Sequence, residues 1–192
     1  GTCNHSVTVE DNEAPAISCP ASLTISTNQD GANDNNCQTS YSYTAPVGTD
    51  NCSQTTAFVS GQGAGSTTYT VAASPYTETW KVTDGAGNST TCSFTITVAD
   101  DEVPVISCPS DINVNNDSGN CSAVVSFTAP VGTDNCSGAT TVLTSGSVSG
   151  SAFAVGVNTN LYTVTDAAGN SATCSFDITV TDNEDPTISC PA

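Results

Sequence analysis

Ala45-Pro46-Val47-Gly48-Thr49-Asp50-Asn51-Cys52-Ser53 is repeated without change at residues 129–137. Nine identical residues in a row mark an internal duplication, and the rest of the chain is organised by it. Cys19-Pro20 returns as Cys108-Pro109 and again as Cys190-Pro191, and Thr83-Asp84-Gly85-Ala86-Gly87-Asn88 returns as Thr165-Asp166-Ala167-Ala168-Gly169-Asn170. The separation between copies falls from 89 residues at the Cys-Pro motif to 84 at Cys37 and Cys121, and to 82 at Asp84 and Asp166. The first copy therefore carries five extra residues before Cys37 and two more between Val71 and Glu78, both predicted in loops. Two tandem units follow, at 14–99 and 100–181. Residues 1–13 read as the last strand and linker of a preceding unit, since Thr2 to Val9 matches Thr91 to Val98. Residues 182–192 read as a linker and the start of a following one. The chain is then either a window on a longer array or a subunit whose N-terminal strand completes a neighbour by β-strand addition.

Within each unit, alternating or β-branched runs are cut by clusters of Gly, Asn, Asp and Pro, and no stretch keeps a helical period. That pattern predicts an all-β fold of two tandem immunoglobulin-like antiparallel β-sandwich domains, end to end, with flanking strands of adjoining units. The predicted strands are 22–27, 38–45, 55–60, 67–73, 77–83 and 91–98 in the first unit. In the second they are 111–115, 122–129, 139–144, 152–156, 160–165 and 173–180. Trp80 and Tyr162, each four residues before the matching aspartate, are expected as core rings of the penultimate strand rather than as ligand-stacking platforms.

Composition narrows the function classes. One Lys or Arg stands against 19 Asp or Glu, for a formal net charge of -18. A surface that tracks phosphate needs clustered Lys and Arg, so nucleic acid and anionic membrane surfaces are excluded as partners. No apolar run approaches the ~20 residues of a membrane-spanning helix, so membrane insertion is not expected. Ten cysteines without a single Cys-x-x-Cys pair, and one histidine, argue for structural disulfides in an oxidising compartment rather than a zinc or redox site. With no histidine base besides His5 and no arginine to hold an anion, the residues supply no catalytic constellation.

Taken together, Cys-Pro, Cys37 and Cys121 opening the second strand, Asp50-Asn51-Cys52 and Asp134-Asn135-Cys136, the Asp-x-Ala-Gly-Asn motifs at 84–88 and 166–170, and Thr-Cys-Ser-Phe at 91–94 resemble the hyalin repeat, or HYR domain. The resemblance covers nearly the whole chain. It implies extracellular, cell-surface modules associated with adhesion and matrix, without catalytic activity.

The carboxylates are concentrated at the junctions between units, as Asp11 and Glu13 on either side of Asn12, then Asp100, Asp101 and Glu102, then Asp182 and Glu184. In a sandwich of this topology, the loop after the second strand and the hairpin before the last strand lie at the end where the preceding linker arrives. Asp50 and Asp84 should therefore converge on the first group, and Asp134 and Asp166 on the second. Carboxylates, Asn and carbonyl oxygens with no cation to neutralise them are the donor set Ca²⁺ takes at six to eight oxygens, which predicts an interdomain calcium clamp. The competing reading makes the linkers solubilising and the Asp-x-Ala-Gly-Asn stretch a plain hairpin, with Gly87 and Gly169 at positive φ.

Threading the predicted strands puts Cys52 beside Cys92, and Cys136 beside Cys174, at the leading end of each unit. Cys37 begins its strand at the opposite end, where Cys108 of the next unit is one partner, as Cys190 is for Cys121. The alternative is a local Cys19–Cys37 and Cys108–Cys121 pairing. The function expected from all this is a structural repeat of an extracellular filament, matrix or adhesin stalk, whose partners are neighbouring copies or repeats. Two alternatives are an adhesive module recognising a glycan or a cell-surface protein, for which Tyr76 is the best exposed-loop aromatic, and a fibre subunit polymerising by strand addition.

Overall fold

A computed structural model describes residues 1–27 and 36–190. The chain divides into two compact units, Gly1–Asp100 and Asp101–Ala192. Unit 1 contains β1 (Leu23–Ser26), β2 (Gln38–Tyr41), β3 (Gln54–Ser60), β4 (Thr67–Thr70), β5 (Tyr76–Asp84) and β6 (Ser89–Ala99), with a 3-10 turn at Val71–Ala73. Unit 2 contains β7 (Ile112–Asn115), β8 (Ser122–Val125), β9 (Thr140–Ser145), β10 (Ser151–Ala154), β11 (Gly156–Thr165) and β12 (Ser171–Thr181). Each unit has a four-stranded sheet, β1-β6-β5-β3 or β7-β12-β11-β9, and a two-stranded one, β2-β4 or β8-β10. The all-β, two-unit sandwich expected from the sequence is the observed architecture.

The period-two runs decide which faces are buried. Phe94, Ile96 and Val98 on β6, and Phe176, Ile178 and Val180 on β12, alternate inward. In unit 1 they pack with Ile25, Tyr69 and Trp80, and in unit 2 with Ala123, Val125, Phe153 and Tyr162. Trp80 lies edge-on to Phe58 at 5.4 Å, and its indole N–H donates to the Tyr43 hydroxyl at 3.3 Å. Tyr162 stacks on Phe176. Both are core rings.

Three features depart from the sequence expectation. The first strand of each unit pairs parallel with the last, Leu23 opposite Ile96 and Ile112 opposite Ile178, so the sandwiches are antiparallel except along this one seam. The second strand stops at Tyr41 or Val125 instead of running to 45 or 129. Tyr76 is not a loop aromatic. It opens β5, its ring packs 4.9 Å from Tyr69, and its hydroxyl accepts the Thr70 N–H at 2.8 Å. The two-residue insertion falls in the Val71–Ala73 turn and the cis Ser74–Pro75 bond that follows it. The five-residue insertion before Cys37 lies outside the described residues.

The disulfides also differ from the expectation. Cys19 is bonded to Cys92, Cα to Cα 5.7 Å, and Cys108 to Cys174, 5.6 Å. The parallel seam is the physical reason. Cys19 precedes Leu23 by as many residues as Cys92 precedes Ile96, so extending the register backwards sets the two cysteines side by side, and the same count holds for Cys108 and Cys174. The expected Cys52–Cys92 and Cys136–Cys174 pairs are therefore not formed, and neither are Cys37–Cys108, Cys19–Cys37 or Cys108–Cys121. Cys37 and Cys136 are each disulfide-bonded, whereas Cys3, Cys52, Cys121 and Cys190 are exposed thiols. The expected Cys121–Cys190 pair is accordingly absent.

Candidate functional site

The repeated nonapeptide builds the leading end of each unit. Ala16 and Thr49 exchange two backbone hydrogen bonds of 2.8 Å, and Val105 and Thr133 do the same in unit 2 at 2.8 and 2.9 Å. These isolated bridges run the incoming chain alongside the Asp50 and Asp134 loops. The glycine of each nonapeptide is pressed onto the core. A Cβ at Gly132 would stand 2.5 Å from a Val164 methyl, and one at Gly48 would overlap Val82. Both valines are fully buried.

In unit 1 the expected residues come together. The Asn51 amide donates to Glu13 Oε2 at 2.8 Å, and the Asn88 amide donates to the Asp11 carbonyl at 3.1 Å. The linker is thus tied both to the loop after β2 and to the β5–β6 hairpin. Asp50 Oδ2 accepts the Cys52 N–H at 2.8 Å, and Asp11 Oδ1 accepts the Glu13 N–H at 3.1 Å. A ligating atom from each of Asp11, Asp50 and Cys52 falls within a 4.8 Å group. Asp11 Oδ2 is buried and accepts no hydrogen bond. A buried carboxylate oxygen without a donor is costly unless a cation or water completes it. The Cys52 thiol, beside the Asp11 carboxylate first and then the charges of Asp50 and Asp84, is pushed above its ordinary pKa. Asn12 is exposed.

Asp84 is committed elsewhere. Its Oδ1 accepts the N–H groups of Ala86, Gly87 and Asn88 at 2.9, 2.7 and 2.8 Å, and its Oδ2 accepts the Asn88 amide at 2.8 Å. Gly87 closes the turn at φ 98°. Asp166 repeats the arrangement with Gly169 and Asn170 at 2.6 and 2.7 Å. Burial pushes both carboxyls up, but the Asn amide and the turn N–H groups outweigh it and hold both below the usual aspartate range. The Asp-x-Ala-Gly-Asn stretch is a hairpin held by its own aspartate, and Asn88 is the residue that links this turn to the linker.

In unit 2, Asp134 Oδ2 accepts the Cys136 N–H at 2.9 Å, as Asp50 does for Cys52. Asp101 is exposed and Glu102 half-buried. Asp100, the last residue of unit 1, is buried and accepts the Thr27 hydroxyl. The trailing end of unit 2 holds a contact the sequence reading missed: both oxygens of Glu184 accept the Gly119 N–H, at 3.0 and 2.8 Å. Asp182 accepts the Glu184 N–H at 3.1 Å, the same short turn that Asp11 makes with Glu13. Asn116-Asp117-Ser118-Gly119 is turn chemistry, which marks the loop but not its partner.

A second buried polar centre went unread. Glu78, fully buried on β5, accepts the N–H groups of Gln62 and Gly63 at 2.9 Å and the Tyr43 hydroxyl at 2.8 Å, pinning the β3–β4 turn. Burial first, and then Glu78, pushes Tyr43 up to about 12. In unit 2 the buried Asn160 does this work, bonding Ser147 N–H and carbonyl at 2.9 and 3.1 Å. Neither centre is open to a ligand.

The model of the HYR domain matches residues 10–98 and again 99–180. The chain belongs to the HYR domain family. Two HYR domains thus account for both sandwiches. The chain is 34% identical over 176 residues to "Sushi, von Willebrand factor type A, EGF and pentraxin domain-containing protein 1" of Rattus norvegicus, covering 89% of this chain and 5% of that protein. It is 34% identical over 113 residues to hyalin of Strongylocentrotus purpuratus, covering 56% of this chain and 9% of that protein. The HYR pair thus spans only a small part of these relatives. Among solved structures, mouse cadherin-23 EC22-24 aligns with 88% of this chain and 67% of its own at 12% identity, with a TM-score of 0.42. Human protocadherin-24 EC1-2 aligns with 90% of this chain and all of its own at 13% identity, with a TM-score of 0.37.

Proposed function

We propose that this tandem HYR pair is a structural segment of an extracellular filament, matrix or adhesin stalk, non-catalytic, that works by length, stiffness and resistance to proteases. The observation that carries the reading is the convergence of Asp11, Glu13 and Asp50 at the leading end of unit 1, with Asp11 Oδ2 buried and unbonded. Hard cations take oxygen, so Ca²⁺ would be held by Asp11, Asp50 and Glu13 with Asn12 or neighbouring carbonyls, and not by the Cys52 thiol. By the sequence repeat, Asp100, Asp101, Glu102 and Asp134 are the counterparts of Asp11, Asn12, Glu13 and Asp50, and Asp182 and Glu184 begin a third set. Asp84 and Asp166 serve this site by holding the hairpin that carries Asn88 or Asn170.

Magnitudes assign separate roles. A disulfide closing 73 residues, as Cys19–Cys92 does, contributes about 4 kcal/mol through the unfolded chain. A millimolar-class extracellular calcium site contributes only ~1.4 kcal/mol at tenfold excess. The intradomain bridges hold each fold, while Ca²⁺ neutralises linker carboxylates that otherwise repel. Adhesive recognition of a glycan or cell-surface protein has lost its sequence argument, because Tyr76 packs against Tyr69. The test is small-angle scattering of the oxidised chain in calcium and then in chelator. Reversible loss of flexibility on adding Ca²⁺ is expected, and superimposable profiles would refute the calcium-stiffened stalk.

A further inference from the structure

The exposed thiols Cys52 and Cys121 have bonded counterparts in the other repeat. Cys52 stands where unit 2 has Cys136, and Cys121 where unit 1 has Cys37, and both of those are half of a disulfide. The chain therefore displays each position once as a bonding cysteine and once as a thiol. Their locations within the units are opposite. The Cys121 carbonyl accepts the Val155 N–H, next to Gly156 opposite Val180 near the end of β12, so Cys121 lies at the trailing end of unit 2, beside Asn116, Gly119 and Glu184. Cys37 is placed likewise at the trailing end of unit 1, its carbonyl accepting Val71 N–H. Cys52, beside Asp50 and Asp11, lies at a leading end. Bonded or free, one of the two positions belongs to a trailing end and the other to a leading end.

We propose that Cys121 of one copy of this chain and Cys52 of the next form an intermolecular disulfide, so that copies join head to tail. The contact is heterologous, since the two surfaces differ, so each copy keeps one unused thiol for the next link instead of pairing two like surfaces. A low-molecular-weight disulfide such as oxidised glutathione is the oxidant. The thiolate of one cysteine attacks it, forming a protein–glutathione mixed disulfide and releasing one glutathione thiolate. The thiolate of the other cysteine, on the second copy, then attacks the protein sulfur of that mixed disulfide and expels the second glutathione. Two protein thiols are oxidised and one small disulfide is reduced to two thiols. Both cysteines sit among carboxylates, so added salt favours the encounter by screening their repulsion. The inference does not depend on calcium binding.

The test uses the full 192-residue chain with Cys3→Ser and Cys190→Ser removing the other exposed thiols, treated with oxidised glutathione in ~0.5 M salt, a concentration that leaves a Debye length of only a few ångströms. Non-reducing electrophoresis should show a ladder of covalent oligomers that reductant collapses, with a Cys52–Cys121 cross-linked peptide by mass spectrometry. Adding Cys52→Ser or Cys121→Ser should stop growth beyond dimers, and mixing the two variants should give a Cys52–Cys121 dimer and nothing larger. Should a serine variant fail to fold, alkylating the exposed thiols of the folded parent protein must abolish the ladder. Glutathione-capped monomers alone, a ladder that survives in either serine variant, or only Cys52–Cys52 and Cys121–Cys121 links would overturn the proposal.

Discussion

Gly48 sits where the nonapeptide crosses Val82, with no space for a single methyl group. Its φ is not in the left-handed region, so the requirement is one of room and not of backbone conformation. Gly48→Ala should cost about 1–3 kcal/mol by overpacking. Trp80, the sole tryptophan and a core ring of unit 1, reports the denaturant transition directly. Combining Gly48→Ala with Val82→Ala should cost less than the sum of the single changes, because the truncated valine makes room. The hairpin aspartates carry a pH signature. Asp84 has a folded pKa below the ordinary 3.8, so its contribution is present above that value and is lost as pH falls through the lowered folded value. Asp84→Asn should therefore lower the Tm at pH 7, measured in chelator, and the gap to wild type should narrow steadily below pH 4. A constant gap down to pH 2 would mean the carboxylate charge is not what the turn uses. The hairpin itself was legible in Asp-x-Ala-Gly-Asn. The crowding at Gly48 was not, because the valine it meets is more than thirty residues away on another strand.

At the level of strands, the parallel seam between β1 and β6 determines the covalent framework. Element positions came from alternation and turn residues with errors of a few residues, since those signals are local. Which strand lies beside which is not a local property. Assuming an antiparallel first strand removed the register that aligns Cys19 with Cys92, and so misplaced the bridges. Replacing both by Ala should destabilise unit 1 by roughly 4 kcal/mol, the chain-entropy value for a loop of this length, seen as an earlier Trp80 transition. Truncating Glu78 to Ala should cost about 1–3 kcal/mol by leaving the Gln62 and Gly63 N–H groups without their acceptor. Glu78 was unreadable in advance, since a glutamate in an alternating strand normally marks the solvent face.

Across the whole chain, duplication was the most legible property, because identical nonapeptides need no structural interpretation. Family membership, the two sandwiches and the meeting of Asp11 and Glu13 with the Asp50 loop followed from it. The division of labour among the acids did not: Asp84 and Asp50 look alike in sequence, yet one is saturated by its own turn and the other stands beside an unbonded Asp11 oxygen. That difference makes the Asp11–Asp50 group the centre of the functional account. Calcium titration calorimetry on the intact chain tests it most directly, comparing wild type with Asp50→Asn. Saturable binding with Kd of ~10⁻⁴ to 10⁻³ M, as for extracellular modules, is the expected result, with the variant losing one site and keeping its Trp80 transition in chelator. No saturable heat, or the same isotherm in both proteins, would contradict the account.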